Sequence, residues 1–548
     1  MEQARLFVAI ALSFLVIFVW QFFMVEPDAP PPVETDSVAE VAVPPAPKTD
    51  IAKPDIAATD FPTPSEETLP ARVITIDTPL YIAKISERGA VFESIVLKKY
   101  RETAQKDSPM KALIPKDVPG GTVYTGFSGG DFPNLDNAVF TASVDADNLS
   151  ISSVSEDIVF SYASPEGIVM EKRFRFSPDT YLVGFDLTMK NMSARPVEGA
   201  LSVGLSGQSS SNGATYGFEG PSALIDNSLE QIKIKSIEDK NIYDGKIGWA
   251  AIEGRYFFSA IIPKASESSR LHLSVAQNDL LRSQYVLPAV TLEPSTVKTF
   301  AFDLFFGPKS LKILSQYHNG LDKLIHFGMF DILAKPCLWL MNYIYSVIPN
   351  YGVAIIILTI IIKLILWPLG NKSYASMNQM KKIQPLMAEI REKHKDDKKK
   401  MNEELMGLYR IYKVNPMGGC LPMVLQIPVF FALYRMLYEA IELRHAPFVG
   451  WINDLSAPDR LFRFDFSIPF MEPPYGVPVL TIIMGATMLL QQKMSPPPGD
   501  PTQAKMMMLM PVVFTFIFIN FSSGLVLYWL VNNILSIAQQ YYIGRKNA

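Results

Sequence analysis

Cysteine is nearly missing from this chain. Two in 548 residues, Cys337 and Cys420, exclude a disulfide-dense scaffold and any four-cysteine metal site. Charge is scarce too: Asp, Glu, Lys and Arg make up 19% of the residues, against about a quarter in soluble domains. A net charge of −4 argues against a general nucleic-acid binder. There is no phosphate loop, dinucleotide fingerprint or HExxH pattern. No acidic pair and no two-half repeat occurs in the apolar runs, which weakens a proton-coupled transporter. Present instead is a 49% hydrophobic composition with a mean hydropathy of +0.16, which points to a chain part membrane-embedded and part soluble.

The first apolar run, Leu6 to Val25, reaches about 30 Å as a helix, the thickness of a bilayer core. It is longer than a cleavable signal's core and ends without a small-x-small site, so residues 1–25 read as a retained signal anchor. Residues 26–70 hold eleven prolines, ten acidic residues and two lysines, a composition that cannot offset its ordering entropy, hence a disordered tether. Residues 71–308 switch to period-two alternation: Val183, Phe185, Leu187 and Met189 fall on one side, Gly184, Asp186, Thr188 and Lys190 on the other. The same pattern recurs at Phe174–Phe176 and Leu271–Val275. Turn signals at 87–89, 120–121, 129–130 and 177–179 break the runs, and an all-β, sandwich-like domain is expected. The Ser209–Ser211 run with Asn212-Gly213 reads as a loop.

After Pro308 the period becomes helical. Residues 309–345 form an amphipathic stretch suited to the membrane interface, which Pro336 is expected to interrupt. Residues 346–548 carry five expected spans: Tyr351–Leu369, Cys420–Leu437, Tyr475–Gln492, and a tight hairpin of two short helices, Met506–Ile519 and Leu525–Ala538. Gly485, Thr481 and Thr487 permit close helix contacts. Between Gly370 and Gly419 eleven basic residues face six acidic ones; between Glu442 and Pro474 the counts are three and five. The positive-inside bias places the first segment and both termini in the cytoplasm and the β domain outside. That topology separates Cys337 from Cys420 across the bilayer. Within 373–415, Ile383, Leu386, Met387 and Ile390 form one apolar stripe and Met401, Leu405, Leu408 and Tyr412 another, as in a helical hairpin.

Polar side chains interrupt the spans. Lys363 lies thirteen residues into its run, where an ammonium costs roughly 2.5–3.5 kcal/mol near the bilayer centre. Snorkelling to an edge about 6–9 Å away is one account. Its company favours another: Thr359 one turn earlier, Gln426 on the next span, and Asn532, Asn533, Gln539 and Gln540 on the last point to a shared wet groove. Arg435 and Glu439, four apart near a membrane edge, read as a surface pair.

The strings Lys413-Val-Asn-Pro-Met-Gly-Gly-Cys-Leu-Pro422, Gln426-Ile-Pro428, Leu443-Arg-His-Ala-Pro-Phe448, Trp451-Ile-Asn-Asp-Leu-Ser456 and Phe521-Ser-Ser-Gly-Leu-Val-Leu-Tyr528 resemble the YidC-type membrane protein insertases, the bacterial form with a large periplasmic domain. The resemblance implies a polytopic α-helical membrane protein: one signal anchor, a five-helix insertase core and a large all-β sandwich-like periplasmic domain. It implies insertion of newly made proteins into the inner membrane, alone or with the Sec translocon, and help in their folding. No enzyme activity, cofactor or metal is implied. The implied partners are nascent membrane proteins, Sec translocon subunits, ribosome, targeting receptor and membrane lipids, with no specific nucleic-acid substrate. The implied groove residues are Lys363, where Gram-negative members typically carry arginine, with Thr359, Gln426, Tyr528, and Trp529, where a second tyrosine is common. Lysine keeps the charge but loses the bidentate fork. Two other readings stand beside this one: a small-solute membrane transporter, and a membrane-anchored periplasmic scaffold or glycan-binding protein.

Overall fold

The computed structural model describes residues 71–546, apart from 115–117, 119, 129–134, 209–216, 266, 277–279, 396, 413, 415–420 and 496–500. The expected anchor and tether, the 209–213 loop, Cys420 and most of the 413–422 string lie outside the described residues.

Two large sheets build the β-rich part. The smaller orders its five strands Met110–Ala112, Val91–Arg101, Tyr81–Ser86, Val73–Asp77 and Asn148–Ser150. The larger has thirteen strands. Its long strand Ile242–Glu253 pairs with Ser268–Ala276 through residues 242–246 and with Phe257–Pro263 through residues 250–253, so one strand changes partners along its length. The predicted alternation decides which face is dry. Val183, Phe185, Leu187 and Met189 are fully buried on a strand paired on both sides, to Ile168–Phe176 and Val297–Pro308. Leu271 and Leu273 follow the rule, whereas Val275 is exposed near its strand end. The two sheets share one core: the Phe92 ring of the smaller sits 5.2 Å from Phe174 and 5.2 Å from Phe306 of the larger. Each such buried side chain contributes about 1.5–3 kcal/mol.

Lys172 breaks the pattern. It occupies an inward position between Met170 and Phe174 and is fully buried. Its Nζ donates to the Gly89 carbonyl and stands 5.0 Å from the Phe140 ring centre. Burial pulls its pKa down to about 7, opposed by the nearby Asp136 charge, and burial pushes the Asp136 carboxyl up. The unfolded side chain keeps its ordinary value of 10.5. Between pH 7 and 10 the unfolded chain therefore holds a proton that the folded chain releases. Local stability is expected to rise with pH across that window, by at most about 1.4 kcal/mol per unit. Hydrogen exchange of the Ile168–Phe176 amides, corrected for intrinsic rates, should show this slope, and Lys172→Met should flatten it.

Seven helices longer than two turns follow among the described residues: α1 (Asp331–Val347), α2 (Tyr351–Lys393), α3 (Lys398–Ile411), α4 (Leu421–Glu439), α5 (Val479–Met494), α6 (Pro501–Phe518) and α7 (Ser523–Lys546). The segment before α1 departs from expectation: Leu321, Leu324, Ile325 and Phe327 are buried in the core and not spread on an interface. Helix α1 also runs through Pro336. The proline stands near the helix start, so the hydrogen bond it forfeits belongs to the carbonyl of Ile332, an 84% exposed residue, which the surroundings can solvate. Asp331 anchors that end, accepting from the Phe327 amide at 2.6 Å and pairing with Lys335 at 3.1 Å. Ala334, Leu338, Met341 and Ile344 face the core, while Ile332, Trp339, Tyr343 and Val347 face outward.

Helix α2 is one continuous helix of 43 residues, about 65 Å at 1.5 Å per residue. It unites the first expected span of the 346–548 group with the first arm of the 373–415 hairpin, although Pro368 and Pro385 lie inside it. Asn350 caps it, accepting from the Val353 amide at 3.1 Å. Its far end packs on α3 through Ile383, Met387, Leu405 and Leu408, a small separate core. Among the described helices α2 alone is long and apolar enough to span a bilayer by itself; Val479–Met494 and Lys505–Phe518 are apolar but shorter. The expected tight turn between the last two helices is present at residues 519–522, but α7 continues to Lys546, well past the expected Ala538. Its polar residues Gln539 and Gln540 are buried against neighbouring helices, so packing extends a helix that hydrophobicity alone ends early.

Gly485 shows why small residues were needed. A Cβ built there would lie 2.1 Å from Thr515 Oγ1 of α6, so α5 and α6 touch nearly backbone to backbone. Gly485→Val should force them apart at a cost of about 1–3 kcal/mol. The expected readout is a lower melting temperature in detergent and loss of a Cys crosslink between the helices.

Candidate functional site

The polar residues of the helical half converge along α2, α5 and α7. Lys363, on α2, donates from Nζ to Ser536 Oγ of α7 at 2.6 Å, and Ser536 donates in turn to the Asn532 carbonyl at 2.7 Å. The Tyr374 hydroxyl also meets Ser536. One turn before Lys363, Thr359 is buried and returns its hydroxyl to the Ile355 carbonyl at 2.6 Å. Lower on the same pair, Gln539 donates to the Trp367 carbonyl at 3.1 Å and to Asn371 Oδ1 at 2.9 Å. Across α7, Asn533 donates to Thr487 Oγ1 of α5 at 3.3 Å. Each bond satisfies a group that hydrocarbon would leave unpaired. The result is a polar seam through helices otherwise sheathed in Leu364, Ile365, Ile482, Ile483 and Phe516, all exposed.

The sequence-predicted site residues fall into two groups. Thr359 and Lys363 lie on α2 beside the seam. Tyr528 and Trp529 lie nearer the start of α7 and meet α4 and α6. Tyr528 is buried, with the Gln426 amide of α4 facing its hydroxyl but without closing a hydrogen bond of good geometry. Trp529 packs in an aromatic cluster, its ring centre 4.7 Å from Phe430, 6.1 Å from Phe514 and 4.9 Å from Phe518. Ser536, the partner of Lys363, was missed by sequence reasoning. Its signal was available: Asn532, Ser536 and Gln540 recur every four residues, one stripe of a helix.

This architecture has counterparts among known proteins. Residues 73–340 match the family described as the YidC periplasmic domain, and residues 343–548 match the 60Kd inner membrane protein family. The membrane protein insertase YidC of Syntrophus aciditrophicus is 41% identical, with 98% of each chain aligned. That of Pelobacter propionicus is 39% identical over 99% of each. The chain belongs to the YidC family of membrane protein insertases. An active YidC insertase crystal structure with the first transmembrane domain resolved aligns to 86% of this chain and 94% of its own, at 18% identity and a TM-score of 0.37. The protein is thus a membrane protein insertase of the inner membrane, polytopic and helical, with a large β-rich domain in the periplasm.

The family assignment gives meaning to a second feature, the seam where the periplasmic domain meets the insertase core. Arg255 donates to the Tyr438 carbonyl at 3.1 and 2.8 Å, and its guanidinium stacks 3.6 Å from the Tyr438 ring centre. Beside it Lys309 pairs with Glu253, whose side chain is fully buried. Arg444 donates to the Arg101 and Glu102 carbonyls at 2.6 and 3.0 Å. The Arg435–Glu439 pair, 3.2 Å apart, is no isolated surface pair: the Glu439 carboxylate feels Lys309, Glu253 and Arg255 as well. Sequence spacing finds only the Arg435–Glu439 part, because the others join residues far apart in the chain.

Proposed function

We propose that insertion proceeds along the polar seam between α2 and α7, with Lys363 as the transient counter-charge for an acidic extracytoplasmic end of the substrate. The observation that carries this reading is the Lys363–Ser536 hydrogen bond. It holds an ammonium inside a helix bundle whose outer face is apolar. A wet, positively charged seam shortens the low-dielectric path that a hydrophilic tail must cross. The apolar part of the substrate then leaves into lipid, each CH₂ contributing about 0.8 kcal/mol. No nucleotide is required. The buried Thr359 backs the path beside Lys363, and the part-exposed Gln426 and Trp529, with the buried Tyr528 behind them, flank the stretch past which apolar segments slide.

The finer architecture belongs to the same proposal: an anchor at 1–25, a disordered tether at 26–70, a periplasmic β-sandwich at 71–308, a connecting region at 309–345 of which only the outward face of α1 suits the interface, and a five-helix insertase core at 346–548. Both termini and the 373–415 hairpin lie in the cytoplasm, where eleven basic residues against six acidic ones suit a ribosome or targeting receptor. Sec translocon subunits are the proposed partners within the membrane.

Photocrosslinkers at positions 426 and 529, with ribosome-bound nascent chains of small membrane proteins, test the path. Adducts that depend on the substrate's apolar segment are expected. Absence of adducts, together with normal insertion after depletion of the protein, overturns the proposal.

A further inference from the structure

The loop between α4 and α5 displays aromatic side chains that take no part in the polar seam. Phe462 is 76% exposed, Phe466 65% and Phe470 87%, and Phe464 stacks on Phe466 with ring centres 4.2 Å apart. Exposed phenylalanines on a floppy loop would collapse inward. These cannot, because the loop is held from beneath. Arg460 donates to the carbonyls of Pro474 at 2.9 Å, Asp459 at 2.9 Å and Ile519 at 2.7 Å, and to Asn520 Oδ1 at 3.2 Å. Asn520 donates to the Phe470 carbonyl at 2.9 Å. Leu461 and Val477 exchange backbone hydrogen bonds of 2.9 and 2.6 Å just before α5 begins.

These ties fix the height of the aromatic residues. Phe470 is bonded to the residue two past the end of α6, and Leu461, next to Phe462, is paired two residues before the start of α5. The exposed apolar faces of both helices, Ile482 and Ile483 on α5 and Phe516 and Ile517 on α6, therefore lead to the phenylalanines at their extracytoplasmic ends. Through Arg444 the same loop touches the periplasmic domain, which sets its side of the membrane. Helix α5 has 16 residues, about 24 Å, against roughly 30 Å of hydrocarbon. A span that short leaves apolar lipid facing whatever lies beyond its end. Here that is a collar of four phenylalanines, with Arg463 exposed between Phe462 and Phe464 and Asp465 exposed between Phe464 and Phe466.

We infer that this loop is a lipid-seated wedge: Phe462, Phe466 and Phe470 enter the periplasmic leaflet and extend the short α5–α6 hairpin to the thickness of the bilayer. The occupant of the aromatic surface is phospholipid acyl chain, continuous with the lipid that covers α5 and α6.

The full chain, made free of cysteine by Cys337→Ser and Cys420→Ser, carries Phe466→Cys or Phe470→Cys and a nitroxide label. It is reconstituted in vesicles of phosphatidylethanolamine and phosphatidylglycerol. Collision rates with oxygen and with a water-soluble nickel chelate report depth. The oxygen-to-nickel ratio at both positions is expected to exceed several-fold that of a label at Ser153→Cys, an exposed residue of the periplasmic domain. Because Phe466→Cys removes the stack on Phe464, Phe470→Cys provides a second reading that leaves the stack intact. Ratios at both positions equal to that at Ser153 overturn the inference. A loop that waits for a protein partner gives that same result, since these vesicles contain none.

Discussion

Replacing Lys363 by alanine is expected to reduce insertion of substrates with acidic translocated tails about tenfold or more, and of strongly apolar substrates much less. Tenfold corresponds to about 1.4 kcal/mol, well within the attraction of two charges a few ångströms apart in a medium of intermediate dielectric. Lys363→Arg should retain most activity, because charge and donor capacity survive. Lys363→Gln separates the two roles of the side chain. It can still donate to Ser536 Oγ, which now accepts from Nζ at 2.6 Å, and so keeps the seam polar while deleting its charge. If Gln behaves like Ala toward acidic tails, charge is the active property; if it behaves like Lys, hydration of the seam is. The measurement is proteoliposome insertion of one substrate in two versions, tail acidic and tail neutralised. Equal loss for both versions would remove the electrostatic part of the proposal.

Arg460→Ala is expected to be the most damaging substitution for the extracytoplasmic side of the core. The guanidinium is buried, and it bonds three backbone carbonyls at 2.9 Å or less together with Asn520 Oδ1. Alanine leaves those acceptors without donors in a space water enters with difficulty, a loss of about 3–5 kcal/mol. The neighbouring Asp459 accepts from Trp451 Nε1 at 2.5 Å and from the Leu480 amide at the start of α5, so the damage should spread to that helix. Limited proteolysis should cut the variant between Arg460 and Glu472 while the parent resists, and the melting temperature in detergent should fall. Arg460→Lys should recover little, since one ammonium cannot reach acceptors spread around a planar fork.

Period was legible in the sequence. The inward set Val183, Phe185, Leu187 and Met189, the stripes that pair α2 with α3, and the turn between α6 and α7 are all local patterns, and each follows from side-chain spacing on a strand or helix. Lys363 was legible for a different reason, being a charge inside an apolar run. Helix continuity was less so: Pro336 does not stop α1, Pro368 and Pro385 do not stop α2, and α7 outlasts its apolar stretch. Backbone hydrogen bonding survives a single proline where the freed carbonyl has another partner, and hydropathy carries no information on that.

By itself the sequence determined the membrane and β-rich halves and the family, through strings such as Trp451 to Ser456 whose identity needs no coordinates. It also determined which residue types had to be explained. Tertiary structure alone decided which polar groups meet. Lys363 and Ser536 are 173 positions apart, Arg255 and Tyr438 are 183 apart, and Arg444 reaches back 343 residues to Arg101. A hydrogen bond or ion pair acts over a few ångströms with demanding geometry, so it is specified by the packing of whole elements, whereas periodicity is specified by each element alone.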